Sequence, residues 1–234
     1  MIFRYLELLG DEPALFLTLT GAMLFALLIG VGFHEACHAF MADALGDSTP
    51  ARQGRTTLNP IAHLDPVGTA MMLFIGFGWG KPVQFDPRGL RVSPRTAMML
   101  VAAAGPISNF VAAFLLGLPL QFGWLTLPAS ERDLFADPVA SSDSYLAIFL
   151  NSAVWFSVIL GVFNLIPIHP LDGFKVALGL LPDDLAYEFS KLAQYGPGIL
   201  LVLLGLPFFF GLNPLGEFIV PVVEDLATAF TGVG

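Results

Sequence analysis

The chain has 234 residues, of which 56% are hydrophobic and only 12% charged, with a net charge of −9 and a mean hydropathy of +0.76. So little polar surface cannot cover a water-soluble globule of this size, and the composition describes a protein of the lipid bilayer. The negative charge argues against nucleic acid as a partner, and the single cysteine, Cys37, excludes an internal disulfide.

No cleaved signal peptide is read at the N-terminus, because Glu7, Asp11 and Glu12 precede the first apolar run instead of a basic region. Residues 13–33 then carry no charge over 21 positions, residues 96–130 none over 35, residues 144–171 none over 28 and residues 192–216 none over 25. Each run exceeds the roughly 20 residues that an α-helix needs to cross the hydrocarbon core. Residues 66–80 are also uncharged, but they are only 15 and include Gly68, Gly76, Gly78 and Gly80. That piece is read as a re-entrant or partial segment, whose backbone must be satisfied by protein or water.

The expected fold class is therefore all-α transmembrane, with four long spans plus one re-entrant or partial segment. No internal repeat or separate soluble domain is visible, so residues 1–234 read as one multi-pass domain, with an additional C-terminal span over about residues 187–212. Small β-strands are expected at one face, over residues 51–58 and 82–85.

Orientation follows from the basic residues, which cytoplasmic loops hold in excess. Arg52, Arg55, Lys81, Arg88, Arg91 and Arg95 lie between the first two long spans, and Lys175 and Lys191 between the last two. Only Arg4 and Arg132 fall on the other side, with the acidic loop 131–143 and the acidic tail bearing Glu217, Glu224 and Asp225. The first side is expected to be cytoplasmic, in a cell membrane.

Phe33-His34-Glu35-Ala36-Cys37-His38 ends the first span. Residues four apart share a helix face, so His34 and His38 present two imidazoles to one ion, with Glu35 about 100° round the helix. A catalytic zinc takes three protein ligands and lowers the pKa of a bound water, whose proton a nearby carboxylate accepts. Ionisable groups on a membrane helix are costly, which favours function over a chance match to a short pattern. Glu35 lies eight residues before Asp43, so the site sits on the order of 12 Å below the end of the helix. Cys37 reads as a small buried thiol rather than a ligand.

A third ligand must come from elsewhere. His63, His169 and Asp172 are candidates, Asp172 foremost because it ends the 28-residue uncharged run on the side where the first span ends. Its competing role is to cap a helix starting near Phe174.

HEACH, followed more than 120 residues later by Asn164-Leu165-Ile166-Pro167-Ile168-His169-Pro170-Leu171-Asp172-Gly173, resembles the site-2 protease family. That family's motifs are HExxH and a later NxxPxxxLDG. The likeness covers about residues 15–182 and includes the segments 58–66 and 104–109; it is to short members without a PDZ or CBS domain. It implies that Asp172 joins His34 and His38 around one Zn²⁺ per chain, and that Glu35 is the general base and acid. It also implies a transmembrane protein substrate, cut near the cytoplasmic side. His169 departs from the apolar residue or proline that the resemblance leads one to expect, and is a candidate support for the ligands. Asn109 and Asn164 are candidate donors to the substrate oxyanion; their ordinary role would be a hydrogen bond between helices. Residues 51–85 would supply an edge to which unwound substrate adds.

Two other readings compete. A divalent-metal carrier also needs ligands inside spans, but spread along a path, whereas here they gather at one depth. An inactive homologue would have lost Glu35 or a ligand. Oligomeric state is not legible in the sequence.

Overall fold

Proline opens five of the eight longer helices in the computed structural model, which describes residues 8–75, 78–86, 90–128 and 138–233. At the first helical position a proline loses nothing, since that N–H has no partner inside the helix and the fixed φ suits the turn. These helices are α1 (Pro13–Ala44), α2 (Pro66–Ile75), α3 (Pro94–Gln121), α4 (Pro138–Asn164), α5 (Asp172–Leu180), α6 (Asp183–Ser190), α7 (Gly196–Phe210) and α8 (Pro214–Thr231). Caps reinforce the starts: Ser93 Oγ accepts from Thr96 N at 3.2 Å before α3, and Asn213 Oδ1 accepts from Gly216 N at 3.0 Å before α8.

Among the described residues, four helical runs are long and apolar enough to cross a membrane: Pro13–Ala44, Pro94–Gln121, Ser144–Asn164 and Asp183–Pro207. The 32 residues of α1 span about 48 Å, so it extends beyond a hydrocarbon core of about 30 Å. Lipid offers helices little hydrophobic reason to associate, so close packing must come from small residues. The buried positions fit: Ala22, Ala26 and Gly30 recur every fourth residue on α1, and Ala97, Ala102, Ala104, Gly105 and Ala113 are buried on α3. Large side chains such as Leu17, Phe114 and Leu201 point outward instead.

The C-terminal quarter is composite. The fourth run includes α6, a 3₁₀ stretch at Lys191–Tyr195 and most of α7. It ends because Gly211 takes a left-handed conformation, φ 68°, and donates to Pro207 O. The acidic tail is itself a helix, α8. Ile219, Val223, Ala227 and Thr231 recur every fourth residue as its buried stripe, packed against α3 and α4, while Glu217, Glu224 and Asp225 are exposed. The acidic loop lies outside the described residues as far as residue 137.

The partial segment is a helical hairpin. The chain climbs ten residues as α2 and returns extended, so that Gly80 pairs with Leu64 in an antiparallel bridge and Lys81 N donates to His63 O at 2.7 Å. Gly68 and Trp79 cross backbone to backbone, as do Gly78 and Gly68. A side chain at either glycine would force the two limbs apart.

Strands over 51–58 and 82–85 do not form among the described residues; the bridge Leu64–Gly80 is isolated. The first stretch starts inside a short helix, Thr49–Arg52, entered through Pro50. The second begins at Pro82, which has no N–H to give to a ladder.

Candidate metal centre

His34 and His38 are both buried on α1, with ring centroids 4.6 Å apart and planes nearly perpendicular. Asp172 meets them from the first turn of α5. Its Oδ2 lies 2.9 Å from His34 Nε2 and 3.0 Å from His38 Nε2. The capping role considered for Asp172 is not what it does: Leu171 occupies the N-cap, and the carboxylate turns to the imidazoles. Gly173 lets it arrive, because α5 begins in direct contact with the carbonyls of Leu165 and Ile166, where a Cβ would collide. Asp172 Oδ1 faces Lys175 Nζ at 3.4 Å.

Two nitrogens and one oxygen, all within 4.8 Å of one another, form a donor set able to hold a metal ion. Zinc bonds of 2.0–2.1 Å would set tetrahedral ligand atoms about 3.3 Å apart. The observed 2.9 and 3.0 Å separations lie within a few tenths of an ångström of that edge. The chemistry of the set also fits. His38 Nδ1 donates to Val101 O at 2.6 Å, which leaves Nε2 as the nitrogen with a lone pair to offer.

Helix α3 supplies the wall behind the histidines. Val101, Gly105 and Asn109 stand four residues apart on one face. Val101 O takes His38 Nδ1, and the Asn109 amide nitrogen lies 3.2 Å from His34 Nδ1. Gly105 sits between them against both rings: a Cβ there would stand 2.5 Å from His38 Cε1 and 2.6 Å from His34 Nε2 and His38 Nε2. It would fill the space between the two imidazoles. Sequence reasoning missed this glycine, since a run of small residues at 102–105 reads as ordinary helix packing.

Glu35 is half-buried, and the returning limb of the hairpin lies on it. A Cβ at Gly80 would stand 2.9 Å from Glu35 Cγ and 3.0 Å from its Oε1. Two buried polar residues secure that limb. Arg55 donates to the carbonyls of Ala62 and Lys81 on its two sides. Asp47, just past α1, accepts from Thr49 N at 2.8 Å and from Asp86 N at 2.6 Å. Burial pushes the Asp47 carboxyl up, but these bonds outweigh it and hold the group below the ordinary carboxylate range.

The other candidates lie elsewhere. His63 is wholly buried, its Nε2 2.8 Å from Thr57 O inside the loop. His169 meets Phe174 edge-on, 5.7 Å between ring centroids, and its Nδ1 is buried without a partner. Asn109 lies on His34 Nδ1, the ring nitrogen turned away from Asp172. Asn164 donates to Leu160 O at 2.9 Å in its own helix.

Residues 132–204 match the model of peptidase family M50, a stretch that holds the run Asn164–Gly173 but not HEACH. "Putative zinc metalloprotease YwhC" of Bacillus subtilis is 35% identical over 208 residues, 87% of this chain and 86% of its own. "Putative zinc metalloprotease Rip2" of Mycobacterium tuberculosis is 30% identical over 198 residues, 79% of this chain and 68% of its own. The Rip2 protein of Mycolicibacterium smegmatis is 29% identical over 77% of this chain and 65% of its own. No solved structure matches. The identity across most of this chain and of YwhC shows that the chain belongs to peptidase family M50, the site-2 protease family of metalloproteases.

Proposed function

We propose that the protein is an intramembrane zinc endopeptidase that hydrolyses peptide bonds in transmembrane segments of membrane proteins. The convergence of His34 Nε2, His38 Nε2 and Asp172 Oδ2 carries this reading. These three residues would hold one Zn²⁺, which supplies an activated water and polarises the scissile carbonyl. Glu35, next to His34 on α1, takes a proton from the attacking water and delivers it to the leaving nitrogen. The water oxygen ends on the new carboxyl group, the C–N bond breaks and an amine departs.

A helical substrate hides its carbonyls in its own hydrogen bonds and must be presented extended. The limb from Trp79 to Phe85 lies outside any helix and touches Glu35 through Gly80, so a peptide added alongside it brings its carbonyls to the carboxylate. An Asn amide has two N–H groups; one of Asn164's goes to Leu160 O, and the other would support the oxyanion. The basic residues gathered on one side support a cytoplasmic position for the site in a cell membrane. The packing of α8 on α3 and α4 supports a single domain over residues 1–234.

The test uses purified full-length chain, a panel of single-span membrane substrates, Glu35→Gln and Asp172→Ala. Cleavage by the wild type is expected to fall at least about 10²–10⁴-fold in Glu35→Gln with zinc content unchanged. Asp172→Ala should lose both zinc and cleavage. Full activity in Glu35→Gln, or full zinc content in Asp172→Ala, would remove the corresponding assignment.

A further inference from the structure

Helix α1 has a second face that the metal centre does not use. Phe33 stands about 100° round the helix from His34 in one direction, and Glu35 about 100° in the other. On the Phe33 flank, α1 and α3 leave between them an apolar groove of about 800 Å³. Phe33, Cys37 and Phe40 of α1 form one wall, and Ala104, Ile107 and Ser108 of α3 the other. The one hydroxyl of this lining is already spent, since Ser108 Oγ donates to Gly105 O at 2.6 Å. Glu35 is not part of it, so a peptide lying here would be on the wrong flank to be cut.

The groove runs along α1 from Phe25 to Ala44, a rise of about 28 Å, close to the depth of the hydrocarbon core. One of its ends carries a cation. Arg91 is exposed, its backbone N donates to Leu45 O at 3.0 Å, and its Nη1 lies 3.5 Å from the carbonyl oxygen of Ala44, the last lining residue of α1. A guanidinium has five N–H donors in a fork that matches phosphate, and the Ala44 contact engages one of them. Asp43, the acidic residue beside Ala44, stands about 100° round the helix from it. Most of the Lys and Arg residues also belong to this end of the chain's spans, where they attract an anionic membrane surface.

We propose that the α1–α3 groove binds an anionic phospholipid, with one acyl chain between the helices and its phosphate on Arg91. An acyl chain reaches half of the hydrocarbon core, about 15 Å, which is about ten residues of helix. It therefore lies from Ala44 back to about Phe33, alongside Cys37 and Phe40. Charge decides against a second copy of the chain as the occupant. Two copies paired across this face about an axis normal to the membrane would bring two Arg91 residues to the same level, whereas a phosphate complements the one.

The experiment places the full-length chain in phosphatidylcholine vesicles containing a trace of either phosphatidylglycerol or phosphatidylcholine with a photoactivatable acyl chain. Labelled peptides are identified by mass spectrometry. Labelling over residues 33–44 and 100–111 is divided by labelling over residues 199–210, where exposed Leu201, Val202 and Phe209 give an internal measure of ordinary lipid contact. That ratio should be about fivefold higher with the phosphatidylglycerol probe than with the phosphatidylcholine probe. Arg91→Gln should bring the two probes to the same ratio, and Arg91→Lys, which keeps the charge, should retain most of the excess. Equal ratios for the two probes in the wild type would overturn the proposal. Absence of groove labelling by either probe would show that protein covers this face, and would overturn it too. So would an excess that survives in Arg91→Gln, or one lost equally in both variants. None of these readings depends on zinc or on cleavage, so failure here leaves the protease reading standing, and failure of that reading leaves this one.

Discussion

Around the two histidines, α3 contributes Val101, Gly105 and Asn109, all buried between long helices. Around Glu35, the neighbouring chain is the hairpin limb beyond Gly80, where Lys81, Pro82 and Gln84 are exposed and Arg55 and Asp47 make the ties. The first wall is backbone and small side chains packed at fixed distance, suited to holding ligand atoms in place. The second is extended chain with few buried apolar contacts, of the kind that opens locally at low cost. The proposed active site would thus join a stiff half that holds metal to a yielding half that receives peptide.

Three substitutions or conditions should break the two halves separately. The largest effect is expected from Gly105→Val, which places carbon between the imidazoles. Zinc affinity should fall at least about 10–100-fold, and cleavage with it, while deuterium exchange over residues 78–86 stays as in the wild type. Faster exchange there would show that the two halves are not independent.

Arg55→Met comes next. It leaves the carbonyls of Ala62 and Lys81 without their donor, and a hydrogen bond from a charged group contributes about 1.5–3 kcal/mol at most. Exchange over the hairpin should quicken and cleavage should drop several-fold, with zinc content unchanged. Loss of zinc in this variant would contradict the division.

The smallest effect belongs to Asp47. Its carboxyl is held below the ordinary range in the folded chain, so its contribution is full above the unfolded value of about 3.9 and is lost as pH falls through the lower folded value. Acid below about pH 4 should therefore loosen the limb at Asp86. Acrylamide quenching of Trp79, in a chain with Trp124 and Trp155 replaced by Phe, should rise on acidification. Asp47→Asn should show the raised quenching already at neutral pH, and an acid response identical to that of the parent chain would rule the clamp out.

Much of the site was legible before folding because its chemistry is local. His34 and His38 are four apart on one helix, and charge inside an uncharged run marks itself. Asp172 needed the family resemblance, since by residue type alone His63 and His169 were rivals and a helix cap was an alternative. The structure separates them by distance: His63 bonds within its own loop, His169 meets Phe174, and Asp172 reaches both imidazoles. The tail was given no secondary structure from the sequence, for a physical reason. In α8 the buried positions alternate with Glu217, Glu224 and Asp225, so charge hid a helix whose one apolar face is covered by α3 and α4.

Composition and spacing by themselves pointed to a helical membrane protein with two candidate ligands and a carboxylate at the end of its first span. Charge-free length and the α-helical repeat are properties of continuous sequence, and they survive without any knowledge of neighbours. Only the tertiary structure decided that Gly105 forms the wall between the imidazoles, that Asn109 addresses the far nitrogen of His34, and that the 66–80 segment folds back onto Glu35. Each of these is a contact between residues far apart in the chain. A glycine chosen for closeness looks in sequence like any glycine chosen for packing, until the atoms it makes room for are in place.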